Sequence, residues 1–140
     1  MHILLADNQP KVRFGLRVLL KRQPGLEVVG EATNAEELLA RVEATCPDLV
    51  LLGWHLSGLK EVDLLPALRR ICPQLHVIAL SGWPEERQAA LDAGADAFVC
   101  KCDPPERLLA AIADYLAKVE HQVGSTMDEE VERCISTVSY

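Results

Sequence analysis

No apolar run in this chain approaches the roughly 18 residues that a membrane span requires. The segment before Asp7 has neither the charged start nor the length of a secretory signal, so a cytoplasmic protein is expected. Basic charge is also in deficit: 14 Lys and Arg against 21 Asp and Glu give a net charge of −7 and a pI near 5.0. Such a chain repels phosphate backbones, which argues against sequence-independent binding of DNA or RNA by this chain alone and favours protein partners. Its five cysteines, Cys46, Cys72, Cys100, Cys102 and Cys134, form an odd set at irregular spacing. That is a poor disulfide framework, and free thiols in a reducing compartment are the expectation. Internal repeats and low-complexity stretches are missing. So is a glycine-rich phosphate loop after the first strand, where Asp7-Asn8-Gln9-Pro10 stands instead; a small nucleotide-binding enzyme therefore ranks last among the readings.

What is present is enough apolar material for one core: 49% of 140 residues. Strand-like and helix-like patterns alternate along it. His2 to Ala6 reads as a strand, and Pro10 to Gln23 as a helix with Pro10 in its first turn and Val12, Leu16, Leu19 and Leu20 on one stripe. A second strand spans Leu26 to Glu31. Asn34 is a good N-cap for a helix to about Thr45 that buries Leu38, Leu39 and Val42. A strand at 48–52, a helix at 60–71, a strand at 75–80, a helix at 84–93 and a strand at 97–100 follow, and Pro104-Pro105 opens a last helix with Leu108, Leu109, Ile112, Leu116 and Val119 at helical spacing. Five alternations predict a parallel sheet with helices on both faces, because parallel neighbours need crossovers of one hand.

Ligands of open parallel sheets gather at the carboxyl ends of the strands. Those ends carry Asp7-Asn8, Gly53, Ser81 and Lys101. The central strand, Asp48-Leu49-Val50-Leu51-Leu52, thus stops at a residue without a side chain.

The blocks Ile3-Leu4-Leu5-Ala6-Asp7, Val28-Val29-Gly30-Glu31-Ala32, Pro47-Asp48-Leu49-Val50-Leu51-Leu52, Val77-Ile78-Ala79-Leu80-Ser81 and Ala93-Gly94-Ala95-Asp96-Ala97-Phe98 occur in one order that resembles the receiver domain of two-component response regulators of the LuxR type. The resemblance covers about residues 1 to 119. It implies a flavodoxin-like, CheY-like, doubly wound five-stranded α/β fold in strand order 2-1-3-4-5, and transfer of a phosphoryl group from a histidine kinase to an aspartate. The acceptor position falls on Gly53, which cannot form an acyl phosphate. The paired acids that hold magnesium in the family fall on Asp7 and Asn8, the second a neutral amide. Ser81 and Phe98 match the family's switch residues, the hydroxyl that contacts the phosphoryl group and the aromatic that follows it; loop bonding for Ser81 and plain packing for Phe98 are the plainer readings. Cys102 stands where many receivers have a proline after the active lysine.

Magnesium takes hard oxygen ligands and dehydrates reluctantly. A unit charge pair at 4 Å is worth about 4 kcal/mol at an effective dielectric near 20, and about twice that for a divalent ion, before desolvation. With two of three carboxylates gone, magnesium binding is expected to be lost or very weak, no other cofactor is implied, and Asp7 and Lys101 should pair directly. The expected protein is a degenerate receiver without enzymatic activity, working through contacts with a signalling protein or a second copy of itself. A switch frozen in one state would leave its output face permanently available. The alternative is a competent receiver with a relocated acceptor, His55 or Ser57 being nearest, that regulates transcription through a missing output domain.

Other features have two readings each. Cys100 and Cys102 with His55 or His76 would be an unusual zinc set by spacing, so no metal site is assigned. Trp54 either crosses the vacated pocket or packs beside the third helix. Phe14, Trp83 and Tyr115 are candidate interface aromatics. The body is taken as residues 1–121 and the tail as 122–140. Gly124 is expected to end the long helix, and Thr126-Met127-Asp128-Glu129 to cap a short amphipathic helix through Val138. That helix is acidic, and no helix-turn-helix output domain fits in about twenty residues.

Overall fold

The structure is a computed structural model that describes residues 1–126, with the last seven of these described as backbone only. The tail helix expected from Met127 onward, and Cys134, lie outside the described residues. Five strands, β1 (His2–Ala6), β2 (Glu27–Ala32), β3 (Leu49–Gly53), β4 (His76–Ser81) and β5 (Ala97–Cys100), form one parallel sheet in the order β2-β1-β3-β4-β5. The helices are α1 (Pro10–Lys21), α2 (Ala35–Thr45), α3 (Glu61–Ile71), α4 (Arg87–Asp92) and α5 (Pro105–Thr126). The chain divides at Pro104 and Pro105 into the sheet with its first four helices and the segment that begins with α5. No helix among the described residues is long and apolar enough to cross a membrane.

Alternation along buried strands sorts side chains to the two faces. Leu4, Ala6, Val50, Leu52, Val77, Ala79, Phe98 and Cys100 join Leu38 and Val42 of α2, Leu64, Leu65 and Leu68 of α3 and Ala90 of α4 in one core. Their neighbours Ile3, Leu5, Leu49, Leu51, Ile78 and Leu80 are equally buried but point to the opposite face, and Leu20 of α1 is fully buried outside that core. Each such Leu or Ile contributes about 1.5–3 kcal/mol on burial, so the faces of β1, β3 and β4 are strongly specified. The capping of α2 follows its sequence: Asn34 Oδ1 accepts from the Glu37 amide at 2.8 Å, and Glu37 Oε1 accepts in turn from the Thr33 amide at 2.7 Å.

Three expectations need correction. The helix expected over 84–93 is split into a 3-10 turn at Pro84–Glu86 and a short α4. Gly124 does not end α5, which runs through it to Thr126; one glycine costs a helix about 1 kcal/mol relative to alanine, too little to stop it. The cysteines are not all free thiols: Cys46 is joined to Cys72 and Cys100 to Cys102. Cys46 and Cys72 are the C-cap residues of α2 and α3, helices that pack side by side on the same core. Irregular spacing in sequence hides a pairing that only tertiary proximity creates, and cysteine usage consequently gives no argument for a reducing compartment.

Candidate functional site

Parallel register brings the carboxyl ends of the central strands level: Ala6 pairs with Leu52, Gly53 with Leu80, and Ser81 with Cys100. The chain leaves β1 toward β2 on one side and the sheet continues to β3 on the other, so a crevice opens at this end, where α/β sheets place their ligands. It is a cleft of about 280 Å3 lined by Asn8, Gln9, Trp54, His55, Ser81, Gly82, Trp83 and Lys101.

Asp7 lies at its floor, 1% exposed. Its Oδ1 accepts from the Gln9 amide at 2.8 Å, which fixes the turn into α1. Its Oδ2 lies 2.7 Å from Lys101 Nζ, the direct pair expected from the charge balance, yet receives no aligned hydrogen bond. The lysine also reaches Gln9 Oε1 at 3.5 Å. Arg13 anchors the same loop, donating from Nη1 to the Asp7 carbonyl at 2.7 Å and from Nε to Glu31 at 2.9 Å. Asn8 is exposed beside this pair.

Gly53 is buried, and its missing side chain has a definite geometric meaning. A Cβ built there would stand 2.2 Å from Asp7 Oδ2, 2.8 Å from Asp7 Cγ and 3.2 Å from the Ala6 carbonyl oxygen. The Asp7 carboxylate, turned toward Lys101, occupies the volume that any side chain at 53 would need.

Ser81 sits in the cleft wall, 3% exposed. Its Oγ accepts from the Trp83 amide at 3.0 Å and donates to Glu86 Oε1. Glu86 Oε2 meets His55 Nε2, and the His55 amide donates to Glu61 Oε2 at 2.8 Å. Partial burial disfavours ionisation of Glu86, but the Ser81 hydroxyl, the His55 hydrogen bond and the His55 charge outweigh it, so its carboxyl is held below the usual range. Phe98 is buried in the core. Trp54 both packs against that core and lines the cleft, its amide tied to the Leu80 carbonyl at 2.7 Å.

Asp7, Gly53, Ser81 and Lys101 thus stand at or just past the ends of β1, β3, β4 and β5. The model of the response regulator receiver domain matches residues 3–113. The chain belongs to the response regulator receiver family. This receiver is 36% identical over 112 residues, 79% of its length, to the nitrate/nitrite response regulator protein NarL of Escherichia coli strain K12, and 29% identical over 112 residues to the response regulator protein VraR of Staphylococcus aureus. It spans about half of each of those proteins, 52% and 54%. Among solved structures, a LuxR-family two-component response regulator from Aurantimonas sp. SI85-9A1 superposes with a TM-score of 0.76 at 31% identity, covering 84% of this chain and 85% of that one. The signal receiver domain of the putative response regulator NarL from Mycobacterium tuberculosis gives 0.73 at 26% identity, covering 81% and 93%.

The receiver thus brings Asp7, Gly53, Ser81 and Lys101 together, with Asn8 on the rim. It buries Phe98, and leaves Phe14 and Trp83 exposed at 68% and 63%. Tyr115 is half-buried on α5. Ser57 is exposed and does not line the cleft; its carbonyl accepts from the Ala35 amide at 2.8 Å. The Lys101–Cys102 peptide is trans. Sequence reasoning passed over two residues of the site, Gln9 and Glu86. Gln9 carried no signal beyond its place in the β1–α1 turn; Glu86 follows Pro84 closely enough to sit in a tight turn facing Ser81. Gly53→Ala is expected to destabilise the receiver by about 1–3 kcal/mol, because the new methyl group must push the Asp7 carboxylate off Lys101; urea denaturation measures it, and an unchanged midpoint would mean that Asp7 moves freely.

Proposed function

We propose that this receiver domain signals without a phosphoaspartate: a non-enzymatic module of a two-component pathway that acts through protein contacts. The observation that carries this reading is the Asp7 carboxylate standing in the volume of a residue-53 side chain while paired to Lys101 at 2.7 Å. A carboxylate committed in that way, next to the neutral Asn8, makes a donor set that does not fit magnesium, which needs several hard oxygens freed from competing cations. The pair also neutralises the cation that would receive a phosphoryl oxygen. Ser81 is in the same condition, its hydroxyl engaged by Glu86 and the Trp83 amide. The pocket is therefore complete without a phosphoryl group or a metal ion, and the exposed aromatics Phe14 and Trp83 are the anchors that a signalling partner or a second copy would use. We place the protein in the cytoplasm, where the kinases and regulators of such pathways meet.

A titration with magnesium and beryllofluoride, an acyl phosphate mimic, tests the proposal. Trp54 and Trp83 both line the cleft and report by fluorescence. No change is expected at millimolar concentrations, and no mass increase after incubation with acetyl phosphate. A saturable, magnesium-dependent change would overturn the reading. A phosphorylated peptide containing His55 or Ser57 would favour a relocated acceptor instead.

A further inference from the structure

The two disulfides differ in what they span. Cys46 and Cys72 are 26 residues apart, whereas Cys100 and Cys102 enclose a single residue. A cross-link stabilises a fold mainly by restricting the unfolded chain, and the restriction grows with the length of the closed loop. A bond across one residue restricts almost nothing, so stability gives no reason for it.

Its position gives another. The enclosed residue is Lys101, whose ammonium holds Asp7 at 2.7 Å. Cys100 closes β5 and is buried, while Cys102 lies in the following turn and is exposed. One sulfur is open to a nucleophile in solution and the other is placed to leave. The Asp103 carboxylate, accepting from the Cys100 amide at 3.3 Å, closes the turn.

We propose that Cys100 and Cys102 form a thiol–disulfide exchange site for low-molecular-weight thiols, and that its redox state sets the hold of Lys101 on Asp7. A thiolate attacks Cys102 Sγ and the bond between the two sulfurs breaks. Cys100 leaves as a thiolate and takes a proton from water. A second thiolate attacks the external sulfur of the mixed disulfide, releasing Cys102, which is protonated in turn, and the small disulfide. Two electrons pass from two external thiols to the protein, and the reverse sequence reoxidises it. In the closed form the main chain around Lys101 is locked into a small ring. In the open form the turn keeps the bonds from the Lys101 amide to the Ser81 carbonyl, at 2.7 Å, and from the Asp103 amide to the Cys100 carbonyl, at 2.9 Å, but loses the covalent ring.

The full-length chain, equilibrated in buffers of graded reduced to oxidised glutathione ratio, tests this by acid quenching, differential alkylation and peptide mass spectrometry, which score each cysteine separately. A chelator is included, because the Cys100 and Cys102 sulfurs and the Asp103 carboxylate lie within 4.8 Å of one another and would compete for divalent metal once reduced. Cys100 and Cys102 should convert together, as one two-electron couple, within the glutathione range in folded protein. The Gln9 amide resonance, which reports Asp7 Oδ1 at 2.8 Å, should move along the same titration. Cys102→Ser should hold that resonance at its reduced position in every buffer, and Cys100→Ser serves if the first variant does not fold. A pair that stays in one state throughout would overturn the proposal, as would a redox transition that leaves the Gln9 resonance still.

Discussion

Lys101→Met is expected to cost this receiver about 3 kcal/mol, at the lower end of the range for removing one partner of a buried ion pair. The Asp7 side chain is 2% exposed and that of Lys101 25%, so water can soften the loss at the lysine but not at the carboxylate. Oδ1 keeps the Gln9 amide, whereas Oδ2 loses the one counter-charge it meets among the described residues and has no hydrogen bond there to fall back on. Asp7→Asn is nearly isosteric and can still accept from that amide. The double variant Asp7→Asn/Lys101→Met should therefore recover part of the loss, since a buried amide short of one partner costs less than an unpaired buried charge. Urea denaturation of the four proteins at pH 7 gives the coupling directly. A loss below about 1 kcal/mol for Lys101→Met would show a pair screened like a surface one, and the account of the cleft as self-neutralised would fail.

Removing the Cys46–Cys72 cross-link should cost a comparable amount through a different state. For a loop of sequence separation 26, the chain-entropy relation gives about 3.5 kcal/mol at 25 °C, or roughly 10 °C in Tm for a chain of this size. Cys46→Ser/Cys72→Ala suits the exposed and buried ends respectively. Because the gain acts on the unfolded chain, the variant's denaturant slope should rise along with the fall in its midpoint, as an unlinked chain exposes more surface. A fall in midpoint at constant slope would place the effect in the packing of α2 against α3 instead. Cys102→Ser opens a one-residue ring and so should leave the denaturant slope unchanged.

The sheet was legible because its central strands are buried on both faces and read as short apolar runs between turn residues; Leu49 to Leu52 and Val77 to Leu80 are of this kind. Caps were legible where a side chain does the capping, as Asn34 does for α2. The principal residues of the cleft could be named because strand ends in a parallel sheet meet whatever their separation in sequence. What stayed hidden depends on distances between side chains. The pairing of Cys46 with Cys72 follows from two helix ends meeting, which no spacing rule encodes. The commitment of Ser81 to Glu86 depends on Pro84–Glu86 tightening into a 3-10 turn, where helical periodicity predicted an ordinary first turn. The continuation of α5 past Gly124 reflects the small cost that a single glycine adds to a helix already established before it.

The carboxylate lodged at Gly53 also constrains the routes by which such a sequence can change. An aspartate at 53 would press two acids into one volume and displace Asp7 from its cation. The tolerance of position 53 is thereby set by a residue on another strand end: a side chain fits there only as far as the Asp7 carboxylate turns aside.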